Sequence, residues 1–268
     1  MALQQLVENS QLFFLVFARI YAIVQVAPLL SSQTIPQMAK TGLSLLAAVA
    51  VFPNMMEIGY IIPDYGLVYA FMLIGELLLG LTMGFFLVII YSAFQIAGQL
   101  FSLQMGFGAS QVFDPLAQVQ IPLIGQFLNM VAMFVFVTVN GFQKIFIVGV
   151  YRSFQYVKAS DFMQHTNYVA DMMLAGFSGM FRQALLISFP ILGTLLLVST
   201  TMGLLAKAAP QMNLLMLGFP IAIMVAFFMI FITMPFIIEL FSKLIDHSFE
   251  QILMMLDHVW TEASNGNA

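Results

Sequence analysis

Two lone ionisable residues in apolar surroundings pose the first chemical question. Arg19 falls near the middle of an apolar run over residues 10–30, and Glu76 is the last charge before Asp114. An isolated charge at membrane depth costs at least a few kcal/mol, so Arg19 must face protein or water and have a partner. Paired carboxylates at such depth would suggest ion coupling. Only Glu76 and Glu239 qualify, and in the sequence neither has an obvious mate. Glu76 is therefore the coupling residue of one hypothesis, an ion-coupled secondary transporter.

The other chemistry-bearing residue types do not assemble into a catalytic or metal site. His165, His247 and His258 lie far apart in polar stretches, and the last two read as surface residues of a tail helix. There is no HExxH and no GxSxG, since Gly176-Phe-Ser-Gly179 is one residue short of the latter. Gly106-Phe-Gly108 lacks the third glycine of a dinucleotide loop. With no cysteine, disulfides, thiol catalysis and cysteine-held metals are excluded. The expectation is no enzyme, no cofactor and no metal. Net charge −4 with only 8 Lys+Arg speaks against nucleic acid.

A polar stripe comes next. Ser92, Gln95, Gln99 and Ser102 recur at spacings of 3, 4 and 3, so they share one side of a helix. Such a stripe serves either as hydrogen-bonding glue between helices or as the lining of a wet passage. It leads into residues 104–122, which hold Gln104, Met105, Gly106, Phe107, Gly108, Val112 and Phe113. That stretch is too rich in Gly and Pro for a continuous helix, and too apolar for an ordinary surface loop. Non-helical backbone at membrane depth is tolerated only where protein buries it or a cavity wets it. The stretch therefore reads as lining or plugging a passage. Met and Phe, 21 and 28 residues, suit a deformable seal as well as ordinary filler. Met105, beside Phe107 and Phe113, is the best candidate for a seal, with those side chains and Val112 directed toward a channel axis. Asp114 is left open between capping the next turn and contacting a partner.

The elements that must position these residues are membrane helices. At 62% hydrophobic, 7% charged and mean hydropathy +1.00, the chain is far from a soluble domain with about 25% charged residues. The N-terminal run lacks a basic leader, Glu8 being its first charge, and reads as retained rather than cleaved. Segments are expected at 10–30; at 42–52, stopped by Pro53; at 67–102; at 121–139, ended by Asn140-Gly141; at 183–206; and at 214–238. The third, taken as one helix, is about 54 Å long against a bilayer core of about 30 Å. On it Glu76, Gly80 and Gly84 share a face that admits a neighbouring backbone closely. Residues 142–180 are the most water-like part and a natural boundary. Lys207, Pro210, Gln211 and Asn213 make the tight turn of a closing helical hairpin. Beyond it, Ile245, Phe249, Ile252, Leu253, Leu256 and Trp260 pattern an amphipathic helix for an interface or a partner. The basic residues 144, 152, 158 and 182 would place their connection in the cytoplasm and Lys207 outside.

Taken together these motifs resemble the FliR family of the flagellar type III export gate, a superfamily shared with a virulence-secretion counterpart. The resemblance covers nearly the whole chain. It rests on Arg19 followed by Pro28, Pro36 and Pro53; on Glu76, Gly80, Gly84 and Phe85; on Gly98, Gln104-Met-Gly-Phe107 and Asp114-Pro115; and on Asn140-Gly141 and Ser153-Phe154. Its most specific block is Pro190, Gly203, Pro210-Gln-Met-Asn213 and Gly218-Phe-Pro220. Phe142-Gln143 and Ala222 stand where the family usually has a histidine and a lysine.

The resemblance implies an all-α polytopic chain of long helices and hairpins, packed into a multi-subunit helical pore. It divides the chain into a FliP-like half over 1–165 with a plug loop at 104–122, a FliQ-like hairpin over 166–243, and a tail over 244–268. Arg19, Glu76, Gly80 and Gly84 become subunit-packing residues. The turn at Lys207, Pro210, Gln211 and Asn213 becomes the cytoplasmic, FlhB-facing side, against the charge count. Implied partners are FliP-type and FliQ-type subunits, an FlhB-type switch protein, unfolded export substrates and membrane lipids. The implied location is the bacterial inner membrane at the flagellar basal body, with much of the assembly raised above the bilayer plane. Three hypotheses follow: an export-gate pore subunit in flagellar or virulence use, the transporter coupled through Glu76, and a membrane scaffold with no passage.

Overall fold

A computed structural model describes residues 2–32, 34–58, 60, 62–63, 65–106, 123–211 and 213–266. Among them there is no strand. The helices are α1 (Ala2–Val26), α2 (Gln37–Ile58), α3 (Gly66–Gln104), α4 (Leu123–Thr138), α5 (Gly141–Tyr156), α6 (Ala159–Gln164), α7 (Thr166–Ala208) and α8 (Leu214–Gly266). Five stretches are long and apolar enough to cross a membrane: Asn9–Val26, Gln37–Glu57, Gly66–Gln104, Thr166–Ala208 and Met216–Glu262. The broken pair Ile124–Thr138 and Gly141–Tyr156 counts as a sixth if taken as one span. The chain is an all-α polytopic membrane protein, as its composition requires.

Several segments run further than their sequence signals suggest. Helix α2 continues through Pro53 to Ile58. Helix α7 holds Pro190, and α8 holds Pro220 and Pro235. A proline inside a helix strips one hydrogen bond from the carbonyl four residues back. Here Pro53 and Val49, Pro220 and Met216, and Pro235 and Phe231 all lie on the exposed side of their helices. There the unmatched carbonyl can tilt outward without losing packing. The water-like stretch 142–180 is likewise helical almost throughout, with Arg152 and Asp171 turned outward. Asn140 does end the fourth segment, adopting the left-handed conformation at φ 57°.

The chain forms two compact units, residues 1–89, 140–176 and 245–268 in the first and 90–139 and 177–244 in the second. Helices α3, α7 and α8 each contribute to both. In the first unit α1 and α2 form a hairpin, fixed by the edge-on rings of Phe13 and Phe52 and by Gln25 donating to Gln37 at 2.9 Å. The turn between them closes through Leu29 at φ 71° and through buried Lys40, which donates to the Ser31 carbonyl.

The amphipathic end of α8 also belongs to this unit. Ile245, Phe249, Ile252, Leu256 and Val259 are buried, while Asp246, Glu250 and Asp257 are exposed. Lys144 pairs with Asp246, the Tyr156 and Trp260 rings meet edge-on, and His258 lies on Tyr168 at 3.8 Å between centroids. The apolar face read as serving an interface or a partner is thus buried against the chain's own first unit, and it continues α8 rather than starting a new helix. The second unit is built on Phe94, Phe101, Phe136, Ile191, Ile230 and Phe241, with Phe94 and Phe241 edge-on at 4.4 Å.

Candidate functional site

The first unit holds a polar centre with no exposure to solvent. Arg19 and Glu76 are fully buried and form an ion pair through Nε and Oε2. The guanidinium also donates to Ser153 Oγ at 3.1 Å and to the Val157 carbonyl at 2.9 Å. Its face lies 3.9 Å from the centroid of the Phe154 ring. The other carboxylate oxygen of Glu76 accepts from the Tyr60 hydroxyl, which in turn accepts from the Ala159 amide at 3.1 Å. Burial pushes the Tyr60 phenol well above its ordinary range; the Glu76 carboxylate adds to this and Arg19 opposes it. Tyr60 is therefore held neutral, as a donor.

Local structure explains how these groups meet. On α3, a Cβ at Gly80 would run into the Arg19 carbonyl and come within 2.8 Å of Ala22 Cβ. One at Gly84 would come within 2.9 Å of Val26 Cβ, and one at Gly75 within 2.9 Å of Ala159 Cβ. The glycine face therefore lets α1 press onto α3, which puts Arg19 opposite Glu76. Helix α5 is wound as a π-helix over Ile145–Arg152 and returns to α-helix at Ser153. It stops at Val157, whose extended backbone leaves the carbonyl without a helical partner and free to accept a hydrogen bond from Arg19 Nη2. Ser153 completes the set by donating back to Gly149 and Val150. Both carboxylate oxygens of Glu76 are engaged, one by the Arg19 guanidinium and the other by the Tyr60 hydroxyl.

The second unit holds the base of the 104–122 segment. Phe107, Gly108, Val112, Phe113, Asp114 and the rest of 107–122 lie outside the described residues. Before them, Gln104 is half-buried and ends α3, Met105 is fully buried, and Gly106 takes φ +88°. The chain's own packing covers the Met105 side chain. A Cβ on Gly106 would run into the ring of Phe219. One on Gly98 would meet the backbone of Gly125, at the start of α4. The two glycines bring α3 and α4 together where the segment leaves and returns.

The polar stripe runs along the same part of α3. Gln95 and Gln99 are exposed, Ser92 is half-buried, and Ser102 is buried with no hydrogen-bond partner for its Oγ among the described residues. At the hairpin turn Lys207, Pro210, Gln211 and Asn213 are all exposed. Asn213 caps α8, its side chain accepting from the Met216 amide at 3.3 Å. Among the described residues no group of three His, Cys, Asp or Glu is placed to hold a metal.

The mate of Glu76 escapes a linear reading, because Arg19 is 57 positions away. Two lone opposite charges on two apolar segments were nonetheless a usable signal. So was Ser153-Phe154, which carried the resemblance and proves to hold the Arg19 side chain.

Long apolar helices, two of which are joined through a buried ion pair between Arg19 and Glu76, define a polytopic helical membrane protein. The sequence model described as bacterial export proteins, family 1, matches residues 10–248. The chain is 32% identical to the flagellar biosynthetic protein FliR of Bacillus subtilis over 232 residues, 84% of this chain and 86% of that protein. It is 26% identical to the FliR of Escherichia coli over 251 residues, 94% of this chain and 93% of that protein. With the FliR of Borreliella burgdorferi it shares 30% over 195 residues, 72% of each. The chain belongs to this family of bacterial export proteins, the FliR family.

Proposed function

We propose that this chain is a pore-forming core subunit of the flagellar protein export gate in the bacterial inner membrane. Unfolded flagellar proteins pass through a central channel, closed at rest by the 104–122 segment. Beside the family match, one observation carries this reading. Helices α7 and α8 have 43 and 53 residues, and only 22% and 17% of their apolar stretches are buried. At 1.5 Å per residue they run to about 65 and 80 Å, against a bilayer core of about 30 Å. Helices this long extend past a bilayer core, and their exposed apolar side chains support cover by neighbouring subunits beside lipid. FliP-type and FliQ-type subunits would supply that cover, with an FlhB-type protein at the exposed turn 207–213. Gln95 and Gln99, exposed beside the segment's base, fit a wet passage better than dry glue.

The transporter reading loses its support. The Glu76 carboxylate it needs is held by Arg19 and Tyr60. Flagellar rather than virulence use agrees with the names of the relatives above. The test is conductance of the closed, assembled gate. Deleting residues 106–113 should raise ion leak several-fold, and an unchanged conductance would remove the plug from the proposal.

A further inference from the structure

Gly106 and Phe219 belong to different motifs, more than a hundred residues apart, and they meet in the second unit. Gly106 is the last described residue before the 107–122 stretch, and Phe219 lies in the second turn of α8. At φ +88° Gly106 occupies a conformation that other residues rarely adopt. The Phe219 ring fills the space where a side chain would stand. Met105, one residue back, is fully buried. Phe219 itself is 38% exposed, so only part of its ring is used for packing. Asn213 caps the helix below it, and Pro220 follows it directly.

We propose that Phe219 is a positioning residue, which pins the exit of α3 at Met105–Gly106 to the start of α8. Glycine at 106 is required because the ring lies flush against the backbone there. Removing the ring would free the α3 exit to rotate and uncover Met105, while α3 and α8 stay helical.

The sequence contains no cysteine, so a single one can report the change. Met105→Cys is introduced into the full chain within the assembled gate, and maleimide modification of this chain is timed. With Phe219 present the thiol should react slowly. With Phe219→Ala it should react at least about tenfold faster, as local opening exposes the site. Phe219→Tyr, which keeps the ring, should restore the slow rate. Phe227→Ala removes another exposed ring from α8 and should change nothing. If Phe219→Ala fails to assemble, Phe219→Leu serves, with a smaller acceleration expected. A rate unchanged by Phe219→Ala or Phe219→Leu, or raised equally by Phe227→Ala, overturns the pin.

Discussion

At the scale of single residues, Arg19 decides most. Its guanidinium is served by a carboxylate, a hydroxyl, a carbonyl and an aromatic face, contributed by α3, α5 and the residues that follow α5. A buried pair of this kind adds little net stability over a well-packed apolar pair, but removing one partner leaves a charge stranded. Arg19→Ala and Glu76→Ala should each cost about 3–5 kcal/mol in detergent unfolding. The double variant should cost clearly less than their sum, because the partners share one interaction. Additive losses would mean that the two charges do not depend on each other. Tyr60 gives a pH test. Its folded value is raised, so its contribution is whole below the ordinary tyrosine range of about 10 and is lost as pH rises toward the folded value. The stability advantage of the native chain over Tyr60→Phe should therefore shrink as pH climbs above about 10. A constant difference would mean that Tyr60 is not held neutral. The need of Arg19 for a partner was legible from its apolar surroundings. Which acid answers it was not, since that depends on how closely α1 crosses α3.

At the scale of elements, that crossing is set by glycines. Gly80→Val would drive a branched side chain into the Arg19 carbonyl. It should cost about 1–3 kcal/mol from overpacking alone, and more if the ion pair separates. A loss below about 0.5 kcal/mol, typical of a surface site, would place the helices further apart than described. The end of α8 offers a second test. Phe249→Ala, in the buried face, should destabilise by about 3–5 kcal/mol, whereas the half-exposed Trp260→Ala should cost much less. Equal effects would mean that the face is not buried in the first unit. Helix identity, the long third segment and the amphipathic tail were all legible from spacing and composition. Helix ends were not. Pro53 reads as a stop but stands on an exposed face inside α2, and sequence alone does not say which side of a helix will be free. The tail's apolar stripe was also plain, yet its destination, residues 144–168 of the same chain, is a tertiary fact.

At the scale of the whole molecule, one ion pair is fully buried while many large apolar side chains stand at the surface. Phe189, Leu197, Phe228 and Phe231 are each more than half exposed along α7 and α8. Arg19 and Glu76 are both fully buried within the first unit. Under the proposed function, recognition between subunits would rest largely on those apolar faces and on exposed polar groups such as Gln95, Gln99 and Lys207. The most direct test of the account is extraction from the cell membrane in a gentle detergent, followed by native mass measurement. The account predicts one copy of this chain held with several FliP-type and FliQ-type subunits, and its aggregation when those subunits are absent. A stable, monodisperse chain purified alone, with its long helices covered only by detergent, would contradict it.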